Sequence, residues 1–260
     1  MSQSFYQTDG ELFIATANTI GPWSEAFQHA GPPSALLLHQ LLQQAEGMHP
    51  ARFQVELLKP VPVRALQLST QEITPGKRRR VLQAELVDAQ AGQTVARAQL
   101  LLLRRESISL GDLPNHDGPQ PPAPEQCAPF AFNFFTAEVG YHTAMELRLA
   151  SGGLGSGKTQ MWMRPRIDLL PGVPCGPLER IPLVGDSGNG ISMVIDPRKI
   201  GFANPDLSLN IRRPPQSDWL CLDAHTHLQD FGIGLAESRI WDAAGVVANG
   251  NQNLLLTPNA

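Results

Sequence analysis

Residues 31–45 read GPPSALLLHQLLQQA, and this stretch decides the fold. Pro32 and Pro33 fit a helix only in its first turn, where a backbone N–H has no helical partner to lose. The leucines that follow make most of the circumference apolar at the start of the helix. Because a helix that is apolar on most sides is surrounded by protein, the stretch predicts a buried helix.

Four runs after this helix alternate apolar and polar residues, which is typical of β-strands. The alternation is clearest in RFQVELL at 52–58 and VLQAELV at 81–87. The other two runs are LQLSTQEI at 66–73 and TVARAQLLLL at 94–103, with turns at PGK and AQAG. This order predicts one buried helix wrapped by a long antiparallel sheet.

The chain repeats this pattern. Residues 88–103 read DAQAGQTVARAQLLLL, and residues 242–256 read DAAGVVANGNQNLLL. Three landmarks keep their spacing in the two halves with one residue of slippage: Gly31 and Gly185, Pro60 and Pro214, Gly92 and Gly245. A repeat of this kind predicts two equivalent structural units. In this register Pro32 falls opposite Asp186, and Gln99 falls opposite Gln252.

A proline-rich stretch separates the two units. Residues 111–129 read GDLPNHDGPQPPAPEQCAP, a composition that excludes regular structure and favours an extended linker. We therefore expect an N-terminal unit at 1–108, a linker at 109–129 and a C-terminal unit at 130–260. In the second unit six strands are predicted, and ISMVID at 191–196 is predicted to be the short helix.

Composition restricts the class of protein. A formal net charge of −4 argues against nucleic acid as the partner. The three cysteines have no CxxC spacing, so neither a disulfide framework nor a zinc site is expected. The first residues lack the basic and apolar regions of a signal peptide, and no apolar run has membrane-spanning length. We expect a soluble, cytoplasmic protein.

Several stretches together resemble the double-hot-dog acyl-CoA thioesterase II-like proteins, over residues 10–256. Those in the first half are GPPSALLLHQLL, HPARFQVELLKPVPV and VLQAELVDAQAGQTVARAQLLLLR. Those in the second half are YHTAMELRL, MWMRPRI, GDSGNGIS, FANPDLSLNIRRPPQSDWLCLDA and GLAESRIWDAAGVVANGNQ. The resemblance implies an α+β double hot-dog, in which two antiparallel sheets each wrap a central helix. It also implies hydrolysis of a fatty or related acyl-CoA by a homodimer or higher homo-oligomer, without a metal or redox cofactor.

The same resemblance implies that Asp186, Asn204 and Gln252 hold a water molecule. A partly desolvated carboxylate can accept a proton from water, and two amides can orient that water. Threonine is usual in this family at the position of Asn204. The expected site lies in the second half, with the first half contributing part of the substrate groove.

Other interpretations of these residues remain open. Asp186 could be a plain helix cap, Gln252 a cross-strand polar residue, and Asn204 part of an Asn-Pro turn. The backbone amides of Gly188, Asn189 and Gly190 are candidates for binding an oxyanion, since amides in the first turn of a helix have no helical partner.

Some signals favour different sites or functions. Lys77, Arg78 and Arg79 could contact the phosphates of coenzyme A or could be a solvated strand end. GGLGSGKT at 152–159 fits a P-loop, but Pro165 would break the helix that a P-loop requires, so a hairpin loop is favoured. His225 and His227 are predicted not to bind a metal. A non-catalytic acyl-CoA or hydrophobic-ligand binding protein remains the main alternative to an enzyme.

Overall fold

The computed structural model describes residues 3–114, 116–197 and 199–258. Its strands are β1 (Tyr6–Asp9), β2 (Leu12–Ala15), β3 (Met48–Leu57), β4 (Ala65–Thr74), β5 (Arg79–Asp88), β6 (Gln93–Arg104), β7 (Ala128–Phe130), β8 (Met145–Gly152), β9 (Lys158–Pro165), β10 (Ile200–Ala203), β11 (Asp206–Ile211), β12 (Leu220–Leu228), β13 (Ile233–Asp242) and β14 (Gly245–Pro258). Its helices are α1 (Gly31–Leu42), α2 (Tyr141–Ala144), α3 (Arg180–Gly185) and α4 (Gly188–Ile191), with 3-10 turns at Ala17–Thr19 and Pro124–Gln126.

Hydrogen bonds join the strands of both halves into one antiparallel sheet. The strand order is β1-β2-β4-β5-β6-β3-β11-β14-β13-β12-β9-β8-β7, and β10 pairs with β14 off this path. The halves meet where β3 pairs with β11, for example at Val55 and Leu207. The two predicted sheets are therefore continuous along this shared edge.

The predicted helix at 31–45 is confirmed and ends at Leu42. Every residue from Gly31 to Leu38 is buried. The helix packs on β4, β5 and β6 on one side and on α3 on the other. Its leucines are therefore enclosed by protein on nearly every side, as the all-round apolar pattern indicated.

The helix predicted at ISMVID is wrong. Only Ile191 of that stretch is helical, and the helical residues lie earlier in the chain, in α3 and α4. Pro182 fits the first turn of α3, whereas Pro197 disfavours helix in the residue before it. Both helices are too short to show a 3.6-residue period in the sequence.

The β5–β6 and β13–β14 hairpins carry matching β-bulges. Val95 is the extra residue in β6, and Val247 is the extra residue in β14. When the ladders are aligned from the hairpin ends, Gln252 falls opposite Leu100 and not opposite Gln99, as the sequence register had suggested. Since side chains alternate between the faces of a sheet, this shift of one residue places Gln252 inward.

The repeated aspartate at the start of these hairpin turns has a structural role. Arg64 pairs with Asp88 in the first half, and Arg213 pairs with Asp242 at 2.6 Å in the second. Both aspartates are buried, and each also accepts two backbone N–H groups. Burial alone would raise the pKa of Asp242, but these hydrogen bonds hold it below its usual value. The repeat thus records two equivalent turn anchors.

The segment before β7, which includes Asp117 and Pro122, covers the outer face of the second-half sheet. The Trp162 indole N–H donates to Pro122 O at 2.7 Å, and Arg212 Nη1 lies 2.5 Å from Asp117 Oδ1. Beneath it lies a small apolar cluster, separate from the main core: Cys127, Trp162, Cys221, Trp241 and Val246. The domain limits at 108, 109–129 and 130 stay a prediction.

The P-loop interpretation is contradicted. GGLGSGKT joins antiparallel strands β8 and β9, so no helix follows it to present N–H groups to a phosphate. Gly152, Gly155 and Gly157 have positive φ, as a tight hairpin loop requires. None of the helices in the described ranges has the length and apolarity needed to cross a membrane.

Candidate active site

A cavity of about 380 Å³ lies between the two halves of the chain. Its wall is formed by the segment leading into α1, the end of β3, the α3–α4 turn, and the loop between β10 and β11. Most lining residues are apolar or aromatic. The polar groups on its wall include His29, Asp186, Ser187, Asn189 and Asn204. An apolar cavity with few convergent polar groups is the usual form of a ligand site.

Asp186 lies at the junction of α3 and α4. It is the residue after α3 and keeps helical dihedral angles, and its side chain is only 3% exposed. Gln252 Nε2 on β14 lies 3.1 Å from Asp186 Oδ1 and 3.0 Å from the main-chain Asp186 O. Gln252 Oε1 accepts the N–H of Asn189 at 3.3 Å. The Gln252 amide is thus engaged with this helix junction.

Asn204 follows β10 and reaches the same carboxylate. Its Nδ2 donates to Asp186 Oδ1 at 3.2 Å. The loop is fixed because Leu57 N donates to Pro205 O at 2.8 Å. The structure therefore brings together Asp186, Asn204 and Gln252, which lie far apart in the sequence.

A fourth member of the cluster, His29, was not predicted from the sequence. Its Nδ1 lies 3.0 Å from Asp186 Oδ2, and its ring stacks on Tyr141 with centroids 3.8 Å apart. His29 belongs to the first half, directly before α1, so the polar cluster draws on both halves. A histidine beside a proline-rich helix start has no pattern that links it to a carboxylate in the other half.

The backbone amides of Gly188, Asn189 and Gly190 were the candidates for binding an oxyanion. A Cβ on Gly188 would lie 2.7 Å from Gln252 Oε1, so the glycine makes room for that amide. The Asn189 N–H is directed to Gln252 Oε1 and is engaged there. Gly190 lines the cavity, and its N–H donates to no group among the described residues. The Gly188 N–H also donates to no group among the described residues, but Gly188 does not line the cavity. Of the three, Gly190 therefore combines a free amide with a place on the cavity wall.

Tyr141 supports the cluster from behind. Its hydroxyl donates to Leu183 O at 2.8 Å and lies 3.0 Å from Ser187 Oγ. Burial raises the pKa of Tyr141, so the phenol stays neutral and donates a proton to a hydrogen bond. The ring and the α3–α4 junction are therefore held in a fixed relation.

Aromatic rings form the apolar part of the cavity. Trp23 contacts Phe202 edge-on at 5.2 Å and stacks near Phe134 at 6.2 Å. Phe132 and Phe135 extend this group along the wall. Rings in such offset and edge-on arrangements attract one another and present a hydrophobic surface to a ligand.

The basic residues proposed for coenzyme A lie elsewhere. Lys77, Arg78 and Arg79 are exposed at the β4–β5 turn, and none of them lines the cavity. Lys59, beyond the end of β3, does line it. These three residues were proposed because they belong to a run of like charges. Such a run carries no information about how far its residues lie from the cavity.

Three further histidines, His39, His225 and His227, do not line the cavity. His227 Nε2 lies 3.4 Å from Glu237, and His225 Nε2 lies 3.9 Å from Asp223. No group of three or more potential metal ligands occurs among the described residues. His39 on α1 contacts Glu179 at 2.9 Å and does not line the cavity.

Models of known protein families match both halves of the chain. The acyl-CoA thioesterase N-terminal domain matches residues 19–103, and the acyl-CoA thioesterase C-terminal domain matches residues 124–256. The fold and the two family matches together define the chain as a thioester hydrolase. The chain belongs to the acyl-CoA thioesterase family. None of the curated proteins compared with it is significantly similar in sequence.

Solved structures show the same fold. A conserved protein with a hot dog fold from Alicyclobacillus acidocaldarius has a TM-score of 0.74 at 16% identity, covering 98% of this chain and 96% of that one. The tesB protein of Mycobacterium avium subs paratuberculosis has 0.70 at 16%, covering 97% and 96%. Acyl-CoA thioesterase II TesB2 from Mycobacterium marinum has 0.67 at 14%, covering 97% and 95%. The chain therefore has a hot-dog fold.

Proposed function

We propose that the chain hydrolyses the thioester of a fatty or related acyl-CoA, with water activated by the carboxylate of Asp186. One observation carries this proposal. A single carboxylate, held by Gln252 and Asn204, lies on the wall of a largely apolar cavity. A thioester carbonyl is electrophilic, so its hydrolysis needs mainly a base and an oriented water.

The hydrogen bonds suggest separate roles for the three side chains. Both amide hydrogens of Gln252 are taken up by contacts to Asp186, so Gln252 positions the carboxylate and leaves the water to others. Asn204 uses its Nδ2 on the same oxygen and has its own Oδ1 left to accept from water. The Gly190 N–H is proposed to stabilise the oxyanion that forms on the thioester carbonyl.

The aromatic part of the cavity is proposed to bind the acyl group. Trp23, Phe134 and Phe202 provide apolar surface beside Asp186, and burying such surface favours binding by roughly 25 cal/mol per Å². Lys59 on the wall can meet a phosphate of coenzyme A. The earlier assignment of Lys77, Arg78 and Arg79 to those phosphates stays a prediction.

We also infer the finer architecture, a double hot-dog in which each half of the sheet wraps its own helix. The burial of α1 on nearly all sides and its packing on β4, β5 and β6 support this. The packing of α3 on β9, β11, β12 and β13 supports the same arrangement in the second half. The expected homodimer or larger homo-oligomer is checked by light scattering, and the cytoplasmic location stays a prediction.

The test is release of free thiol from a series of saturated acyl-CoAs, from acetyl to palmitoyl. The wild-type protein is compared with Asp186→Asn and with Asp230→Asn, which changes an exposed aspartate at the β12–β13 turn. We expect kcat to fall about 10²-fold or more in Asp186→Asn alone. Equal, slow turnover in all three proteins would favour the alternative of a non-catalytic acyl-CoA binding protein.

A further inference from the structure

We infer that His29 takes the proton from the attacking water, so that the carboxylate of Asp186 activates the water through His29 and not by direct contact. The inference rests on the proposed thioester hydrolysis and names the atom that receives the proton. It makes the first half of the chain part of the reacting centre, whereas the sequence had placed the chemistry in the second half alone.

His29 is in direct contact with the Asp186 carboxylate. His29 Nδ1 lies 3.0 Å from Asp186 Oδ2, and the two side chains are only 12% and 3% exposed. Asp186 Oδ1 is already occupied by the amides of Gln252 and Asn204, so Oδ2 is the oxygen left for His29. A hydrogen bond to a charged carboxylate is about twice as strong as one between neutral groups.

The contact with Asp186 indicates that Nδ1 of His29 carries the ring proton. The Gly31 N–H also points to this nitrogen, at 3.1 Å, and it loses that acceptor when Nδ1 is protonated. The hydrogen bond to the charged carboxylate outweighs this loss, because it is the stronger of the two. If Nδ1 were unprotonated, its lone pair would face the lone pairs of the Asp186 carboxylate in a nearly solvent-free site. With the proton on Nδ1, the ring donates to Asp186, and the second nitrogen, Nε2, carries the basic lone pair.

The other ring nitrogen of His29, Nε2, makes no hydrogen bond to any described residue. It is also absent from the described side-chain atoms that are both buried and unpartnered. His29 lines the cavity, so this nitrogen is open to a ligand or water there. The charged or titratable groups around the ring are Asp186, Tyr141 and, on the cavity wall, Lys59, with His142 behind Phe135. Asp186 is the only acidic residue of the described cavity wall.

The imidazole ring of His29 is held in place by its neighbours. Its main-chain N–H donates to Thr19 O at 2.8 Å, and its face lies on Tyr141 with an interplanar angle of 7°. Close packing of the two helices sets the distance to Asp186, because a Cβ on Gly31 would lie 2.6 Å from Leu183 O. The base and the carboxylate that orients it are therefore preorganised.

The proposed hydrolysis passes through a tetrahedral intermediate. Water oxygen forms a bond to the thioester carbon while one of its protons passes to His29 Nε2, and the carbonyl electron pair moves to oxygen. When the intermediate collapses, the C–S bond breaks and the proton on Nε2 passes to the departing sulfur. Asp186 stabilises the imidazolium between these events, and the products are a carboxylic acid and coenzyme A thiol.

The experiment uses His29→Asn, His29→Ala and a matched control, His39→Asn. Asparagine can place an amide N–H near the position of Nδ1 and so keep the contact to Asp186, but it has no group at the position of Nε2. His39 contacts a carboxylate at a similar distance but lies outside the cavity. We expect kcat to fall about 10²-fold or more in both His29 variants, with KM little changed, and to stay unchanged in His39→Asn.

Imidazole added to the solution provides the second readout. We expect it to restore turnover in His29→Ala, at rates that follow the basicity of the added imidazole, and to leave Asp186→Asn inactive. Wild-type turnover in His29→Asn, or no rescue of a folded His29→Ala, would overturn the role of His29 while thioester hydrolysis stands. A wild-type protein that is inactive with every thioester would overturn the proposed function and this inference with it.

Discussion

Gln252 Nε2 contacts both the side-chain Oδ1 and the main-chain oxygen of Asp186, across 66 residues of sequence. Gln252 is buried on the inner face of β14 and touches the junction between α3 and α4. The contact therefore fixes the orientation of the carboxylate relative to the helix that carries it.

Replacing Gln252 by leucine, the residue at the equivalent ladder position in the first half, tests this contact. Leucine fills similar space but donates no hydrogen bond, so the buried Asp186 carboxylate loses one donor. We expect kcat to fall about 10²-fold, measured by thiol release. Asn251→Leu, at the neighbouring exposed position, should keep wild-type turnover. Equal activity in the two variants would contradict a positioning role for Gln252.

Substitutions of Asn204 test whether asparagine takes the role of the threonine that the family resemblance implies at this position. Asn204→Ala removes the donor to Asp186 Oδ1, and we expect kcat to fall about 10²-fold. Asn204→Thr keeps a hydroxyl that can donate and accept, so we expect it to retain activity within about tenfold. A fully active Asn204→Ala would show that this side chain only shapes the turn.

Trp23 tests the acyl-binding part of the cavity. Its ring contacts Phe202 and Phe134, and truncation removes apolar contact from the bound acyl group. We expect Trp23→Ala to raise KM for long acyl-CoAs about tenfold, equivalent to about 1.4 kcal/mol, with a small change in kcat. Phe231→Ala, at a ring that is 72% exposed in the β12–β13 turn, is the control. The same KM in both variants would place the acyl group elsewhere.

Asp242 tests the turn anchor of the second half. Its side chain is fully buried and pairs with the partly exposed Arg213, so Asp242→Asn removes the charged partner of that arginine. We expect the free energy of unfolding to fall by about 3 kcal/mol at pH 7, measured by urea denaturation. Asp230→Asn should change it by less than about 0.5 kcal/mol.

The same anchor predicts a pH dependence with a definite sign. The pKa of Asp242 is lower in the folded protein than its usual value, because the hydrogen bonds outweigh the effect of burial. The resulting stabilisation is present above about pH 4 and is lost as pH falls through the lowered pKa. The difference in unfolding free energy between wild type and Asp242→Asn should therefore shrink as pH falls below about 4. A constant difference would mean that Asp242 is not ionised in the folded state.

Local pattern and resemblance predicted much of the fold. The helix predicted at 31–45, its burial and the four strands that follow it in the first half rested on residues that are neighbours in sequence. The short helices α3 and α4 were missed because six and four residues cannot display a helical period. The pairing of Gln99 with Gln252 was off by one because the two hairpin turns differ in length: Asp88 pairs with Gln93, the residue after the turn glycine, whereas Asp242 pairs with the glycine itself, Gly245.

The sequence by itself determined which segments form strands and the buried helix, and through the family resemblance it pointed to Asp186, Asn204 and Gln252. Only the tertiary structure decided that His29 of the other half meets the same carboxylate, and that Lys77, Arg78 and Arg79 lie outside the cavity. The physical reason is that periodicity and turn chemistry act over a few residues. The meeting of His29 and Asp186 depends instead on how closely α1 packs against α3.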